Sequence, residues 1–396
     1  MSLNSTPRSN RLHIGIFGNR NVGKSSLINA LTGQQISLVS DTPGTTTDPV
    51  YKSFELAGFG PVVFVDTAGF DDEGEIGALR ISRTEQAVQK CDIALLLFDA
   101  APTALHDRWS DILKEKKIPI LAVVTKSTKL NVELLSGDIR ARYGFEVLSV
   151  DSAAGSGIDA LRKKIAAMAP DDFWDISIVG DLAGENDTVL LVMPQDIQAP
   201  KGRLILPQVQ TTRELLDKKC VVISCTADKM QQALDSLANP PHLIITDSQV
   251  FDLVYPLKPK ESLLTSFSVL FAGYKGDIKE FMEGAKAIYS LKETSRVLVA
   301  EACAHAPAEE DIGRVKIPNL MAKKLGFRPQ IEFVRGNDFP KDLSGYDLII
   351  HCGACMFSRK HVLNRMQAAK DAGVPICNYG IVLASLNGIL DKIVTA

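Results

Sequence analysis

Short apolar runs, loops rich in glycine or polar residues, and apolar stripes at helical spacing follow one another along most of this chain. Leu12–Phe17 is the first run, and Leu27, Ile28 and Leu31 fall on one helical face behind it. Val62–Val65, Asp92–Phe98 and Ile120–Val124 continue the series as strands. A polar break with proline and aromatic residues follows at 170–175. Beyond it, Val189–Met193, Cys220–Cys225 and His242–Thr246 read as strands, with helical patterns over Thr211–Lys218 and Asp228–Leu237. The last third begins with a helical pattern over Asp277–Leu291 and a strand over Ser295–Ala300. A helix then opens at Pro318 and closes at Gly326, followed by strands Ile331–Val334 and Tyr346–Ile350. A helix from about Ser358 to Gly373 and a strand-like Val374–Cys377 complete the pattern. Alternation with right-handed crossovers predicts an α/β chain in three modules, 1–170, 180–268 and 270–396, the last a doubly wound parallel sheet.

Composition changes this picture little. With 396 residues, 45% hydrophobic and 23% charged, the chain has the make-up of a soluble protein of two or three domains. A net charge of −3 gives no sign of a general nucleic-acid or membrane-surface binder. Seven cysteines, an odd count at low density, point to reduced thiols and a cytoplasmic setting. The first ten residues are polar, without the apolar core of a signal peptide, and no apolar run approaches the ~18 residues a spanning helix needs.

The first candidate chemistry lies directly behind the first strand. Gly18 to Ser25 reads G-N-R-N-V-G-K-S, a phosphate loop placed between strand and helix. Its backbone (Gly18, Asn19, Val22, Gly23, and Ser26 at the helix start) would cradle the phosphates. Lys24 would neutralise them and the Ser25 hydroxyl would ligate Mg²⁺. Pro43–Asp48 is a hydroxyl-rich loop, and Asp66 to Gly69 forms D-x-x-G after a strand. The Asp66 carboxylate would help hold Mg²⁺, while the Gly69 N–H would sense the γ-phosphate.

Residues 12 to about 168 resemble the Era and TrmE type of translation-factor-class GTPase, with Ser152 and Ala153 as its guanine-side S-A motif. The resemblance implies GTP as the nucleotide, Thr46 as the switch ligand of Mg²⁺, and Asn21 as the residue that holds an activating K⁺. Lys24, Thr46 and Gly69 then carry hydrolysis. Phe70 stands where many relatives orient water with glutamine, which implies a slow basal rate, on the order of 10⁻⁴–10⁻² per second. One segment departs from the class: Thr125 to Thr128 reads T-K-S-T where N-K-x-D is usual. Lys126 can lie along the base, but Thr128 offers no carboxylate to the guanine edge. Lost charge-assisted bonds of about 1.5–3 kcal/mol each would lower guanine selectivity by one to three decades.

The second candidate chemistry is C-x-H at Cys303 and His305, followed by H-C-x-x-C at His351, Cys352 and Cys355. Each group directly follows a strand pattern, and ligands of open α/β sheets collect at the carboxyl ends of strands. The helix from about Ser358 points its positive end at the cysteines and favours thiolates there. Three thiolates and an imidazole suit a closed zinc site and an Fe–S cluster with one unusual corner equally well. Cys220 and Cys225, on opposite sides of one strand, read as core, as do Cys91 and Cys377. His13, His106, His242 and His361 read as surface or edge histidines.

The GTPase motifs, the Ala199–Pro207 stretch and the two-part C-x-H and H-C-x-x-C pattern together resemble the HydF family of FeFe-hydrogenase maturation GTPases. That resemblance implies a 4Fe–4S cluster on Cys303, Cys352 and Cys355, with His305 or His351 near the fourth iron. It implies a scaffold and carrier that forms a homodimer through its middle domain. Radical-SAM maturases would supply ligands for a transient diiron precursor, to be passed to apo FeFe-hydrogenase. The competing expectation is an Era/TrmE-like, RNA-associated GTPase with a structural zinc. No RNA-binding motif or positive balance accompanies it.

Overall fold

The structure is a computed structural model that describes residues 7–33, 50–56, 59–66, 87–170, 173, 176–194, 204–302, 311–336 and 338–396. It divides into two compact units, Met1–Trp174 and Asp175–Ala396.

The first unit is built on six strands: β1 (Leu12–Phe17), β2 (Val50–Leu56), β3 (Gly60–Asp66), β4 (Ile93–Phe98), β5 (Ile120–Val124) and β6 (Val147–Ser149). Their order is β2-β3-β1-β4-β5-β6, with β2 antiparallel to β3 and the other neighbours parallel. β1 and β4 are buried along their whole length, as central strands covered on both faces must be. Alternation sends Ile93, Leu95 and Leu97 into one apolar cluster and Ala94, Leu96 and Phe98 into the other. The edge strand β2 escapes a search for apolar runs because Lys52, Ser53 and Glu55 interrupt it. Charges on an edge deter pairing with other chains.

The second unit holds β7 (Thr188–Val192), β8 (Val221–Cys225), β9 (Leu243–Thr246) and β10 (Leu263–Ser266), then β11 (Arg296–Glu301), β12 (Gln330–Arg335), β13 (Leu348–His351) and β14 (Ile376–Asn378). The sheets run β10-β9-β7-β8 and β12-β11-β13-β14, and every pair is parallel. Both therefore have the strand order 2-1-3-4, with a switch point between the first and third strands. The parallel α/β expectation holds. Leu190, Val192 and Ile244 of the first sheet share one apolar cluster with Val297, Ile349 and Ile350 of the second. The final strand-like tail is pinned to β10, where Val394 N–H donates to the Leu264 carbonyl at 2.8 Å and Thr265 Oγ1 to the Val394 carbonyl at 2.7 Å.

Two helical patterns are shorter than expected. Asp228–Leu237 resolves into a 3₁₀ turn at Ala227–Lys229 and a helix at Met230–Asp235, and Asp277–Leu291 into a helix at Ile278–Lys286 and a 3₁₀ turn at Ala287–Ser290. Helices Phe267–Lys275 and Tyr379–Leu386 are buried on most sides and carry no amphipathic stripe to read. No helix among the described residues is long and apolar enough to cross a membrane.

Candidate functional site

In the first unit, β1 ends at Phe17 and the helix Lys24–Thr32 begins seven residues later, so the turn between them must be tight. Gly18 takes φ +156°, and a Cβ there would meet Val22 Cγ1 at 2.9 Å and the Leu97 carbonyl at 3.1 Å. Gly23 takes φ +101° and Asn21 φ 60°, left-handed values that turn the loop around an open centre. Lys24 Nζ donates to the carbonyls of Gly18 at 2.9 Å and Asn19 at 2.8 Å, closing the loop on itself. Ser25 is half-buried, and Asn21 and Ser26 are exposed.

Asp66 stands at the end of β3, paired in register with Ile16 of β1. Burial pushes its carboxyl up, against the pull of the Lys24 and Lys52 ammonium groups. Among the described residues Asp66 Oδ1, Asn19 Oδ1 and Lys52 Nζ are buried without hydrogen-bond partners. Buried polar groups are normally hydrogen-bonded, so these atoms have capacity for a polar partner. A Mg²⁺–phosphate group fits them: Asp66 offers an acceptor to the cation and the loop offers N–H groups to the anion. Thr46, Gly69 and Phe70 lie outside the described residues.

The base-side strap is held from within. Thr125, 2% exposed, donates through Oγ1 to the Val22 carbonyl at 2.6 Å, which ties it to the phosphate loop. Lys126 has φ 54° and pairs with Asp99 at 2.6 Å. Sequence reasoning missed Asp151, which bonds to the residue that replaces the usual aspartate. Its Oδ2 accepts from both the N–H and the hydroxyl of Thr128. Its Oδ1 accepts from the N–H groups of Ala153 and Ala154, each at 3.0 Å. These bonds, that of the Thr128 hydroxyl foremost, hold the Asp151 carboxyl down to about 2. With four donors on about four lone-pair sites, it has no acceptor to spare for a base. Ser152 follows directly, and the turn it shares with Ala153 is shaped by this carboxylate.

In the second unit the switch point falls between β11 and β13, where Ala300 pairs with His351. β13 ends at His351, so Cys352 is the first residue past the strand, and its N–H donates to the Ala300 carbonyl at 3.0 Å. Cys352 Sγ accepts from the N–H of Ala302 at 3.0 Å. Ala354 takes a left-handed φ of 52° in the turn that leads from Cys352 to Cys355. Burial nevertheless pushes the Cys352 thiol up to about 11. Ser358 caps the helix Arg359–Asp371 just beyond, accepting from the His361 N–H at 3.3 Å. Cys303 and His305 lie outside the described residues. Among the described residues no three metal-binding side chains converge.

His351 stands behind the cysteine loop. It is fully buried, its Nδ1 lies 2.9 Å from the Cys352 carbonyl, and its Nε2 faces Arg365 at 2.9 Å. A guanidinium can only donate, so Nε2 accepts and the proton sits on Nδ1, bonded to that carbonyl. Burial and the Arg365 charge hold the ring neutral, with its pKa lowered to about 3. Both ring nitrogens are thus hydrogen-bonded in this structure. His351 braces the cysteine loop from behind. His13, His106 and His361 are also buried, contrary to their surface reading, while His242 is half-exposed. Cys91 and Cys377 are fully buried and Cys220 nearly so, as core thiols.

The residues present fit an anionic Fe–S group on three counts. The Ala302 N–H donates to the Cys352 sulfur at 3.0 Å. Among the described residues Tyr379 Oη and Arg365 Nε are buried without hydrogen-bond partners. Glu301, at the end of β11, is already bound by Arg314 and Arg335, so among the described residues the charges near the loop lean positive. Arg365 was legible as an anomaly: a charge at a stripe position among Val362, Met366 and Ala369.

Comparison with known proteins agrees with this division. The model of the 50S ribosome-binding GTPase matches residues 13–126, that of the hydrogen maturase F dimerization domain 178–276, and that of the hydrogen maturase F tetramerization domain 279–396. GTPase Der of Wolinella succinogenes is 38% identical over 165 residues, 39% of this chain and 35% of that protein. The tRNA modification GTPase MnmE of Chromobacterium violaceum is 34% identical over 158 residues, 40% of this chain and 34% of that protein. The chain thus spans about a third of the length of these curated relatives. A solved structure of Era bound to MgGDPNP and ribosomal RNA is 18% identical, covers 54% of this chain and 91% of its own, and has a TM-score of 0.37. The first unit is a GTPase domain, a module for GTP and Mg²⁺. Two maturase models follow one another behind it, and the chain belongs to the hydrogen maturase F family.

Proposed function

We propose that this protein is a GTP-hydrolysing scaffold and carrier that assembles the diiron precursor on a 4Fe–4S site and delivers it to apo FeFe-hydrogenase. The observation that carries the reading is the placement of Cys352 at the switch point of a parallel sheet. Its sulfur accepts the N–H of Ala302, the residue directly before Cys303. Cys303, Cys352 and Cys355 hold the cluster, and His305 is the candidate beside its fourth iron. When bound, the cluster supplies an iron position open to exchange. The chain's own part is to fix the Cys352 sulfur with the Ala302 N–H and enclose it with Tyr379 and Arg365.

The GTPase domain occupies 1–170, a dimerisation domain 180–268 and the cluster domain 270–396, a division that the family models support at 178–276 and 279–396. Lys24, Ser25 and Asp66 bind the Mg²⁺ nucleotide with Thr46 and Gly69, and Asn21 holds a K⁺ that speeds a slow hydrolysis. Nucleotide state alters contacts with the radical-SAM maturases and the hydrogenase in the cytoplasm. The alternative, an RNA-associated GTPase, would place a structural zinc on the same thiols of the second unit, but no maturase family model speaks for it.

Anaerobic purification separates the two readings. A brown protein with iron and sulfide is expected, and a colourless one with stoichiometric zinc would overturn the carrier role. A Cys303/Cys352/Cys355→Ser variant should hydrolyse GTP at the parent rate yet fail to activate hydrogenase; normal activation would equally overturn it.

A further inference from the structure

Arg365 lies on the inner face of the helix Arg359–Asp371 and is 3% exposed. Its guanidinium is sandwiched between the rings of Phe339 and Phe357, with Cζ 4.7 Å and 4.6 Å from their centroids. One terminal nitrogen donates to His351 Nε2 at 2.9 Å and the other to the Gly336 carbonyl. Among the described residues Nε finds no hydrogen-bond partner. Among the described residues no carboxylate pairs with it, and Glu301, the acid at the end of β11, is already held by Arg314 and Arg335. A buried cation is retained only when some anion compensates it. The His351 ring that accepts from Arg365 reaches the Cys352 carbonyl through Nδ1 at 2.9 Å, which links the guanidinium to the cysteine loop.

We propose that Arg365 is the fixed counter-charge of the Fe–S cluster, a positioning residue that raises the cluster's reduction potential and, through His351, holds the Cys352 loop in place. The inference rests on the cluster reading of this site. Reduction adds an electron, and a cation held in a low-dielectric enclosure favours the more negative state. The relay runs from Arg365 to the neutral His351 ring and on to the Cys352 carbonyl, which Asn378 Nδ2 also reaches at 3.4 Å. Without a cluster the same cation is a liability, because its hydration has been given up for two hydrogen bonds and two ring faces.

The test uses the full chain reconstituted anaerobically with iron and sulfide, as wild type, Arg365→Gln and Arg365→Lys. Potential is read by dithionite titration followed by electron paramagnetic resonance. Arg365→Gln should shift the potential to more negative values, and Arg365→Lys should stay near wild type. A Gln variant that loses its cluster while the Lys variant keeps it would also support the role of charge. Thermal melts add a readout independent of loading: cluster-free Arg365→Gln should be at least as stable as cluster-free wild type. An unchanged potential in a Gln variant of wild-type iron content would overturn this inference alone. So would a Lys variant shifted as far as the Gln variant, or equal loss of cluster from both. Wild type that takes up no iron and sulfide would overturn this inference and the proposed function together.

Discussion

Thr128 shows how far a single side chain can be read. The sequence shows that the usual carboxylate is missing, and from that alone lower guanine selectivity follows. Only the folded strap reveals that Asp151, 23 residues away, bonds to Thr128 and is saturated by four donors. Replacing GTP by ITP, which lacks the exocyclic amino group, should therefore cost about tenfold or less in affinity. A chain with the carboxylate would lose roughly 10–150-fold per charge-assisted bond of 1.5–3 kcal/mol. Competition binding with the two nucleotides decides, and a hundredfold preference for GTP would refute the saturated-Asp151 account. Asn21, exposed at φ 60° on the loop, carries the potassium proposal. Hydrolysis should run faster in K⁺ than in Na⁺, with the gain lost in Asn21→Ala; equal rates of the parent in both salts would remove the role. His351 illustrates the opposite limit. Its place in H-C-x-x-C reads as a ligand, while in the fold both of its nitrogens are hydrogen-bonded, one of them to Arg365, and spacing along a chain carries no information about that neighbour.

Strands and helices were legible where burial leaves a pattern. β1 and β5 stand as the apolar runs Leu12–Phe17 and Ile120–Val124 mark them. Helices Phe267–Lys275 and Tyr379–Leu386 were missed because enclosure on most sides removes the polar face that makes a period visible. Close approach between elements is equally silent in the sequence. The helix Ile278–Lys286 lies so near β14 that a Cβ on Gly284 would fall 1.9 Å from the Ile376 carbonyl. Gly284→Ala must then part helix from strand, at about 1–3 kcal/mol for overpacking. In a unit of about 220 residues that lowers Tm by roughly 2–4 °C per kcal/mol. A melt unchanged within a degree would contradict this packing.

The second unit carries both maturase models and a shared apolar cluster spanning its two sheets. Its cohesion and its association should therefore survive without the GTPase domain. Residues 175–396 expressed alone are expected to keep the parent's oligomeric state in light scattering; a monomer would place part of the interface on residues 1–174. Local chemistry written in consecutive residues was open to reading from the start: the phosphate loop, Cys352 just past a strand, and the strand–helix alternation behind a parallel α/β fold. Each depends on neighbours a few positions apart, so periodicity and spacing carry it. The strand order 2-1-3-4 that sets Cys352 at a switch point, the capture of His351 by Arg365 and the saturation of Asp151 arise between segments 14 to 50 residues apart. Their partners are chosen by packing, through exclusion of water and the need of each buried charge for company, and that choice exists only once the chain has closed on itself.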